Sequence, residues 1–118
     1  MILDEIRNQL ETVDPNVFYG LVDDERLKQL DFVCDYIVFN RVKPSYGANL
    51  TSISDYFDVH IIRENFIPED MDIAVIEAMS KIAGVRRAKE DGAYNYVRKP
   101  NTNAVLEMLT LHFVRARK

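Results

Sequence analysis

The sequence contains few of the residues from which catalytic and metal-binding sites are built. Its 118 residues include one cysteine, two histidines, four glycines and no tryptophan. A single cysteine excludes an internal disulfide bond, which fits a reducing compartment, and we interpret Cys34 as a small buried apolar residue. The glycines stand singly, so the sequence has no glycine-rich loop for phosphate.

Long apolar runs are also missing. A transmembrane helix needs about 20 consecutive apolar residues. No apolar run in this sequence approaches that length, so we expect no membrane span. Acidic Asp4 and Glu5 stand where a secretory signal carries basic residues, so we expect no secretion by that route. An apolar share of 47% and a charged share of 29% are those of an ordinary globular protein. This length predicts one domain over residues 1–118, with no repeat or linker to divide it.

Charge is distributed unevenly along the chain, whose net charge is −4. Residues 1–84 contain seven Lys and Arg against sixteen Asp and Glu, a balance of −9. Residues 85–118 contain eight against three, a balance of +5. We interpret the basic part either as a solvated sheet edge or as a surface that meets an acidic surface, including that of another copy of the chain.

The central stretch, residues 54–84, predicts a strand followed by a helix. Phe57, Val59 and Ile61 alternate with Asp58 and His60. This period of two is typical of a strand with one face buried. A sheet face and a helix stripe that are consecutive and both apolar are expected to cover each other.

The helix of this stretch is predicted to begin at Pro68, whose ring pre-sets a helical φ, and to stop at Gly84, which we expect in a left-handed conformation. Glu69, Asp70 and Asp72 place negative charge beside the helix N-terminus, where the helix dipole favours it. Apolar residues recur at spacings of three and four and form one stripe. They are Val75, Ile76, Met79, Ile82 and Ala83.

The rest of the chain supplies one more helix and several strands. Residues 23–31 are strongly charged, with too little apolar periodicity to choose between a turn and a helical turn. The other predicted elements are a helix over residues 2–13, strands over 17–20, 32–42, 94–98 and 105–115, and a turn-rich connection over 43–49.

The order of these elements predicts an α+β fold. We expect a two-layer sandwich with a mainly antiparallel sheet and two helices packed on one face. The facing apolar stripes of sheet and helix are expected to form the core. Its predicted members are Phe57, Val59, Ile61, Val75, Ile76, Met79, Ile82, Leu109 and Leu111.

The histidines are the first candidates for chemistry. His60 and His112 both fall in predicted strands, and Asp58 lies two residues before His60 on the same strand face. Neither histidine belongs to a cluster with metal-ligand spacing. We therefore interpret these side chains as cross-strand surface partners, and we predict no catalytic residue, metal or cofactor.

A second candidate is an aromatic and basic strand. Tyr94 and Tyr96 share one strand face and are followed by Arg98 and Lys99, a combination that stacks bases and contacts phosphates in nucleic-acid-binding proteins. Aromatic residues are also the ordinary filling of a sheet, and the overall acidity of the chain opposes binding of a polyanion.

The order helix, strands, helix, strands at this length is similar to that of the tail terminator proteins of long-tailed bacteriophages, of the lambda type. The closing segment, from Tyr94-Asn95-Tyr96-Val97-Arg98 to Ala104-Val105-Leu106-Glu107-Met108, resembles the ends of small tail-completion proteins from phages of Gram-positive bacteria. The architectural similarity covers nearly the whole chain, and the similarity in sequence is concentrated in residues 91–118.

The resemblance implies a structural role in the virion. Tail terminators of this type form a hexameric ring on the end of the tail tube, stop its polymerisation and provide the surface that joins tail to head. They have no catalytic residues and no cofactor. The implied partners are further copies of the chain, the tail tube protein and a head-completion protein. Nucleic acid is expected only as DNA that passes through the ring lumen. The implied location is the head–tail junction of the virion, with the host cytoplasm during assembly.

Three other interpretations stay open. One is a neighbouring head-completion or connector protein. Another is a nucleic-acid-binding module that uses Arg86, Arg87, Lys89, Arg98 and Lys99. The third is a small ligand-binding or regulatory domain of α+β type.

For a ring, the charge distribution predicts which surfaces meet. Arg86, Arg87 and Lys89 are the candidates for the basic side of the subunit interface. The acidic side is expected at Asp23, Asp24 and Glu25. Tyr94, Tyr96, Arg98 and Lys99 are candidate loop contacts between subunits.

Overall fold

The computed structural model describes residues 1–31, 33–48, 50, 52–99 and 101–117. These residues form an α+β domain, which confirms the predicted fold class. Its elements are α1 (Ile2–Leu10), β1 (Val17–Tyr19), α2 (Asp24–Gln29), β2 (Tyr36–Tyr46), β3 (Ile53–Glu64), α3 (Met71–Ser80), β4 (Val85–Arg87), β5 (Ala93–Arg98) and β6 (Val105–Arg117).

The six strands form one mixed sheet in the order β1-β2-β3-β6-β4, and β5 also pairs with β6. All pairings are antiparallel except that of β1 with β2. The parallel pair is possible because β1 and β2 are joined by a connection that contains α2, and parallel strands need such a crossover. The sheet is therefore mainly antiparallel, as predicted, with one parallel edge.

The main core lies on the sheet face covered by α1 and α3. Eight of the nine predicted core residues are buried in it, and the ninth, Ile76, is only partly buried and packs at its border. The side chains that α3 directs into the centre of the core include Val75 and Met79. The full buried cluster is Ile6, Leu10, Val17, Ile37, Phe39, Phe57, Val59, Ile61, Met71, Val75, Met79, Ile82, Val85, Leu109, Leu111 and Phe113.

A second, smaller cluster lies on the opposite face of the sheet. Buried Val38, Ile62 and Leu106 alternate with the main-core residues along their strands, and buried Cys34 joins them. Leu27 of α2 packs against this cluster. Residues 24–29 thus form a third helix, on the sheet face opposite α1 and α3. The interpretation of Cys34 as a buried apolar residue is confirmed.

The β2–β3 hairpin is longer than the sequence pattern predicts. Strand β2 begins at Tyr36 and continues to Tyr46, so the turn-rich connection predicted over 43–49 was wrong for its first half. Phe32 and Asn49, at the bounds of two predicted segments, lie outside the described residues. Pro44 is tolerated in β2 because β1 covers only the start of that strand, with pairs at residues 37–39 in the described part of the sheet, and a proline is accommodated on a strand edge.

Helix α3 begins at Met71, three residues later than predicted. Asp70 adopts a left-handed conformation, with φ of 69°, and the amide of Met71 donates to the carbonyl of Pro68 at 3.2 Å. Pro68 therefore lies in a turn that precedes the helix. The helix ends at Ser80, with Lys81 as its C-cap, so the predicted stop at Gly84 was wrong. Gly84 follows in the connection to β4 with φ of 81°, and its expected left-handed conformation is confirmed.

Strands β4 and β5 lie one after the other along the same edge of β6. The chain between them passes close to the sheet at Gly92, where an added Cβ would lie 2.9 Å from Leu111 Cδ2 and 3.1 Å from the carbonyl oxygen of Thr110. The end of the Leu111 side chain can shift, but the Thr110 carbonyl belongs to the backbone of β6, so a side chain at this position would press against the sheet. Gly92 thus lets the edge of the sheet continue from β4 to β5.

Candidate interaction surfaces

A row of polar side chains crosses the second face of the sheet. His112 Nδ1 lies 2.6 Å from Asp58 Oδ1, and these two residues are directly opposite each other on β6 and β3. His60 Nδ1 lies 2.8 Å from Thr110 Oγ1, and His60 Nε2 lies 2.8 Å from Asn40 Oδ1. The interpretation of these residues as cross-strand partners is confirmed.

The contacts of His60 suit a neutral imidazole that carries its proton on Nε2. In that tautomer the Asn40 side-chain oxygen accepts from Nε2, and Nδ1 accepts the hydroxyl proton of Thr110. Burial lowers the pKa of His60; the Asp58 carboxylate opposes this and His112 adds to it. No group of three or more His, Cys, Asp or Glu side chains is arranged to hold a metal within the described residues.

A pocket of about 260 Å³ opens beside His60, on the face that carries the second cluster. Its wall is largely apolar and includes Val38, Ile62, Leu106 and the partly exposed Val97. Because both ring nitrogens of His60 already have partners, the pocket offers shape and apolar surface rather than a reactive group.

Two ion pairs tie distant segments together. Asp14 is 4% exposed, accepts from the amide of Asn16 at 2.8 Å and lies 2.6 Å from Arg63 Nη2. This pair joins the turn after α1 to the end of β3. The second pair joins Lys99 and Glu64, whose charged atoms are 2.5 Å apart.

Lys99 is therefore engaged within its own subunit. The hydrogen bond from Lys99, with a further one from the amide of Cys34, holds the pKa of Glu64 below its usual value. The same contact raises the pKa of Lys99. Of the candidate loop contacts, Lys99 is the one whose charge already has a partner.

The other candidate loop contacts, Tyr94, Tyr96 and Arg98, lie in strand β5 rather than in a loop. Both tyrosine rings are exposed. Tyr96 donates its hydroxyl proton to Glu107 Oε2 at 2.7 Å, which raises its pKa. In the described part of the chain, β5 pairs only with β6, so its outer edge is open to solvent.

The candidate basic residues lie at one end of the sheet. Arg86 and Arg87 belong to the edge strand β4, Lys89 follows it, and all three are exposed. None of them forms an ion pair with another described residue. Their charges are available to a partner.

The candidate acidic residues lie at the start of α2. Asp23 caps the helix by accepting from the amide of Arg26 at 2.9 Å. Asp24 and Glu25 are exposed in the first turn. Neither of them forms an ion pair within the part of the chain that the structure describes. Asp23 thus has a structural role, and the free carboxylates are those of Asp24 and Glu25.

A further basic site was not predicted from the sequence. Arg41, Arg115 and Arg117 line a pocket of about 280 Å³, together with Ile2, Asp55 and Phe57. Arg117 binds the Asp55 carboxylate with two hydrogen bonds, at 3.0 Å from Nε and 2.6 Å from Nη2. This contact lowers the pKa of Asp55, and the fields of Arg115 and Arg41 act in the same direction.

The only local signal for this site is the spacing of two between Arg115 and Arg117, which puts both on one strand face. Arg41 joins them because β2, β3 and β6 are adjacent. Comparison with known proteins adds no further assignment: no protein-family model matches the chain, and no curated protein matches it. None of the described helices is long and apolar enough to cross a membrane.

Proposed function

We propose that this chain is a tail terminator or tail-completion protein of a long-tailed bacteriophage, of the lambda type. In this proposal residues 1–118 form a single domain with the two-layer sandwich architecture of that class. Copies of the chain form a hexameric ring that caps the tail tube, ends its polymerisation and joins tail to head. The proposal assigns the chain no catalytic residue and no cofactor.

The observation that carries the proposal is the presence of two unlike surfaces at opposite ends of the sheet. Arg86 and Arg87 lie beside Val114 and Phe113 of β6, whereas α2 packs near Leu106 at the other end of that strand. An extended strand spans about 23 Å between those two ends at about 3.3 Å per residue. One chain cannot bring these charges together, so each surface is left for a neighbour.

Unlike surfaces are what a ring requires, because each copy meets the next through a heterologous contact. An exposed charge pair contributes only about 0–1 kcal/mol, so the charges act mainly on orientation and on the rate of association. The further partners in this proposal are the tail tube protein and a head-completion protein. DNA passes through the lumen, and the location is the virion, with the host cytoplasm during assembly.

The proposal is tested by the mass of the purified protein in solution, together with electron micrographs of the same sample. We expect closed rings whose stability falls as salt is added. Reversing both charges of β4, in Arg86→Glu/Arg87→Glu, should weaken assembly while the circular dichroism spectrum and the unfolding midpoint stay near those of the wild type. Single copies in cross-linked particles would refute the ring, and normal assembly of the double variant would refute the role given to β4.

A nucleic-acid-binding module is the second candidate, and one observation favours it. The strand segments at the basic end, residues 41–46, 53–57, 85–87 and 113–117, contain six Arg and Lys but one acidic residue, Asp55. Binding to phosphates would depend steeply on salt, because counterions are released from the nucleic acid. Retention of DNA that falls steeply between low and moderate salt, by a chain that stays monomeric, would favour this function over the ring.

A further inference from the structure

The arginine pocket formed by Arg41, Arg115 and Arg117 carries more positive charge than its own subunit uses. Its one carboxylate, Asp55, is held by two hydrogen bonds from Arg117. Within the described residues, no ion pair involves Arg41 or Arg115. The pocket therefore presents two guanidinium groups without an anionic partner.

The shape of the pocket suits a carboxylate side chain. It has a volume of about 280 Å³, and its lining includes the apolar side chains Phe57 and, at the start of α1, Ile2. A concave site that is partly lined by apolar side chains keeps water from part of the guanidinium surface, which strengthens a charged contact relative to one on a flat surface. Guanidinium groups also match carboxylates with two parallel hydrogen bonds.

The acidic side chains near the pocket do not neutralise it. Asp4 and Glu5 are exposed in the first turn of α1, and the pocket lining includes neither of them. Asp4 lies 3.9 Å from the N-terminal ammonium group. Asp55 is thus the one acidic residue of the pocket lining, and within the described residues neither Arg41 nor Arg115 forms an ion pair.

The free carboxylates of Asp24 and Glu25 lie too far away to reach the pocket of their own subunit. The pocket contacts Asp55, near the start of β3, and α2 packs beside Ile62, near the end of β3. Asp55 and Ile62 also have opposite orientations on the strand, since side chains alternate between faces. The pocket and the start of α2 therefore lie at opposite ends and on opposite faces of the sheet.

We propose that the arginine pocket binds the carboxylates of Asp24 and Glu25 from a second copy of this chain. This inference rests on the proposed function, because it names the contact through which successive copies of the ring join. Arg86 and Arg87, at the same end of the sheet, add positive charge beside this contact and do not themselves bind Asp24 or Glu25. Asp23 remains the cap of α2 and orients the two carboxylates. The pocket and the acidic helix start lie on opposite faces of the sheet, so a copy that fills the pocket of its neighbour turns its own pocket away from that neighbour, and the contact repeats head to tail.

The test exchanges the charges of the two surfaces in separate chains. Variant A carries Arg41→Glu and Arg115→Glu, and variant B carries Asp24→Arg and Glu25→Arg. In A alone, two acidic surfaces would meet, and in B alone, two basic surfaces would meet. We expect the apparent dissociation constant of each variant, from sedimentation velocity, to rise by at least about tenfold, because like charges are brought together.

An equal mixture of A and B should assemble again. The reversed pocket of A accepts the reversed helix of B, and the unchanged pocket of B accepts the unchanged helix of A. Alternating copies therefore restore every contact of the ring. Arg41→Gln/Arg115→Gln removes the charges without adding repulsion toward Asp55, and we expect this variant to show a smaller loss of assembly.

Two variants control for net charge. Asn8→Asp/Lys81→Glu/Asn103→Asp changes the net charge by the same amount as A, and Glu69→Arg/Glu77→Arg by the same amount as B; all five residues are exposed, and none of them lines the pocket or belongs to α2. Both controls should assemble like the wild type. Circular dichroism and the unfolding midpoint of every variant show that a loss of assembly is not a loss of folding.

The outcomes separate this inference from the proposed function. Assembly of A at the wild-type concentration would overturn the role of the pocket and leave the ring intact. Assembly of B at the wild-type concentration would overturn the choice of occupant. A mixture of A and B that stays monomeric would overturn the pairing itself. A wild-type chain that is monomeric in all samples would contradict both the ring and the contact.

Discussion

We expect Asp14→Ala to lower the free energy of unfolding by about 3 kcal/mol, the low end of the range for breaking a buried ion pair. Two losses contribute. The Arg63 guanidinium, whose side chain is only 16% exposed, loses its carboxylate, and the amide of Asn16 loses the acceptor that lies 2.8 Å away. The remaining exposure of Arg63 lets water compensate in part, which is why the low end applies.

Urea unfolding of four variants separates the two losses. Asp14→Asn keeps an oxygen for the amide of Asn16 but removes the charge, so we expect it to be less destabilising than Asp14→Ala. Arg63→Met keeps apolar contacts of the side-chain stem without a charge. The double variant Asp14→Ala/Arg63→Met should be more stable than Asp14→Ala, because it contains no uncompensated guanidinium.

The coupling between the two substitutions decides whether this reasoning is correct. A double variant that loses the full sum of the two single losses would show that the charges do not interact. An Asp14→Ala chain within about 0.5 kcal/mol of the wild type, the range usual for surface substitutions, would show that the buried carboxylate is not needed by the fold.

Three further predictions concern stability and can be measured by the same unfolding experiment. Ile61→Ala removes a fully buried side chain and should cost about 2–5 kcal/mol, whereas Ile76→Ala, at the border of the core, should cost clearly less; equal losses would show that α3 faces the sheet differently. Burial lowers the pKa of His60, so the unfolded chain binds this proton more readily than the folded one. The stability due to neutral His60 is therefore complete above a pH of about 6.5 and is lost as the pH falls through the folded pKa. His60→Gln should flatten this part of the pH profile, and an unchanged profile would exclude His60 as its source. Gly92→Ala should destabilise the chain by about 1 kcal/mol, because its Cβ would lie 3.1 Å from the backbone carbonyl oxygen of Thr110 and overpacking is costly; wild-type stability would show that the β4–β5 connection moves freely away from β6.

Local patterns predicted the elements in which buried and exposed residues follow one regular period. In β3, Phe57, Val59 and Ile61 alternate with polar residues, and all three are buried. The left-handed conformation at Gly84 was predicted for the same kind of reason, since glycine lacks the Cβ that disfavours positive φ. Such signals depend on one segment and its nearest surroundings.

The same signals were misleading where a neighbour decided the outcome. Pro44 indicated the end of β2, but the strand continues through it. Proline has no backbone N–H group, and at an edge position no neighbouring strand needs one. Pro68 indicated the start of α3, but the left-handed conformation of Asp70 delays the helix to Met71. Residues 24–29 gave no clear period of their own, and their helix is held by the contact of Leu27 with the second cluster.

The composition and patterning of this chain were sufficient to predict an α+β fold, most of the main core and the separation of charge between its two parts. The surfaces on which the proposals depend were decided by the sheet register. Arg41 and Arg115 belong to different strands, and they line one pocket because β3 lies between β2 and β6. Asp14 and Arg63 likewise form an ion pair across the fold. A pairwise contact between residues far apart in the chain depends on how whole strands align, and a one-residue shift would move each side chain to the opposite face.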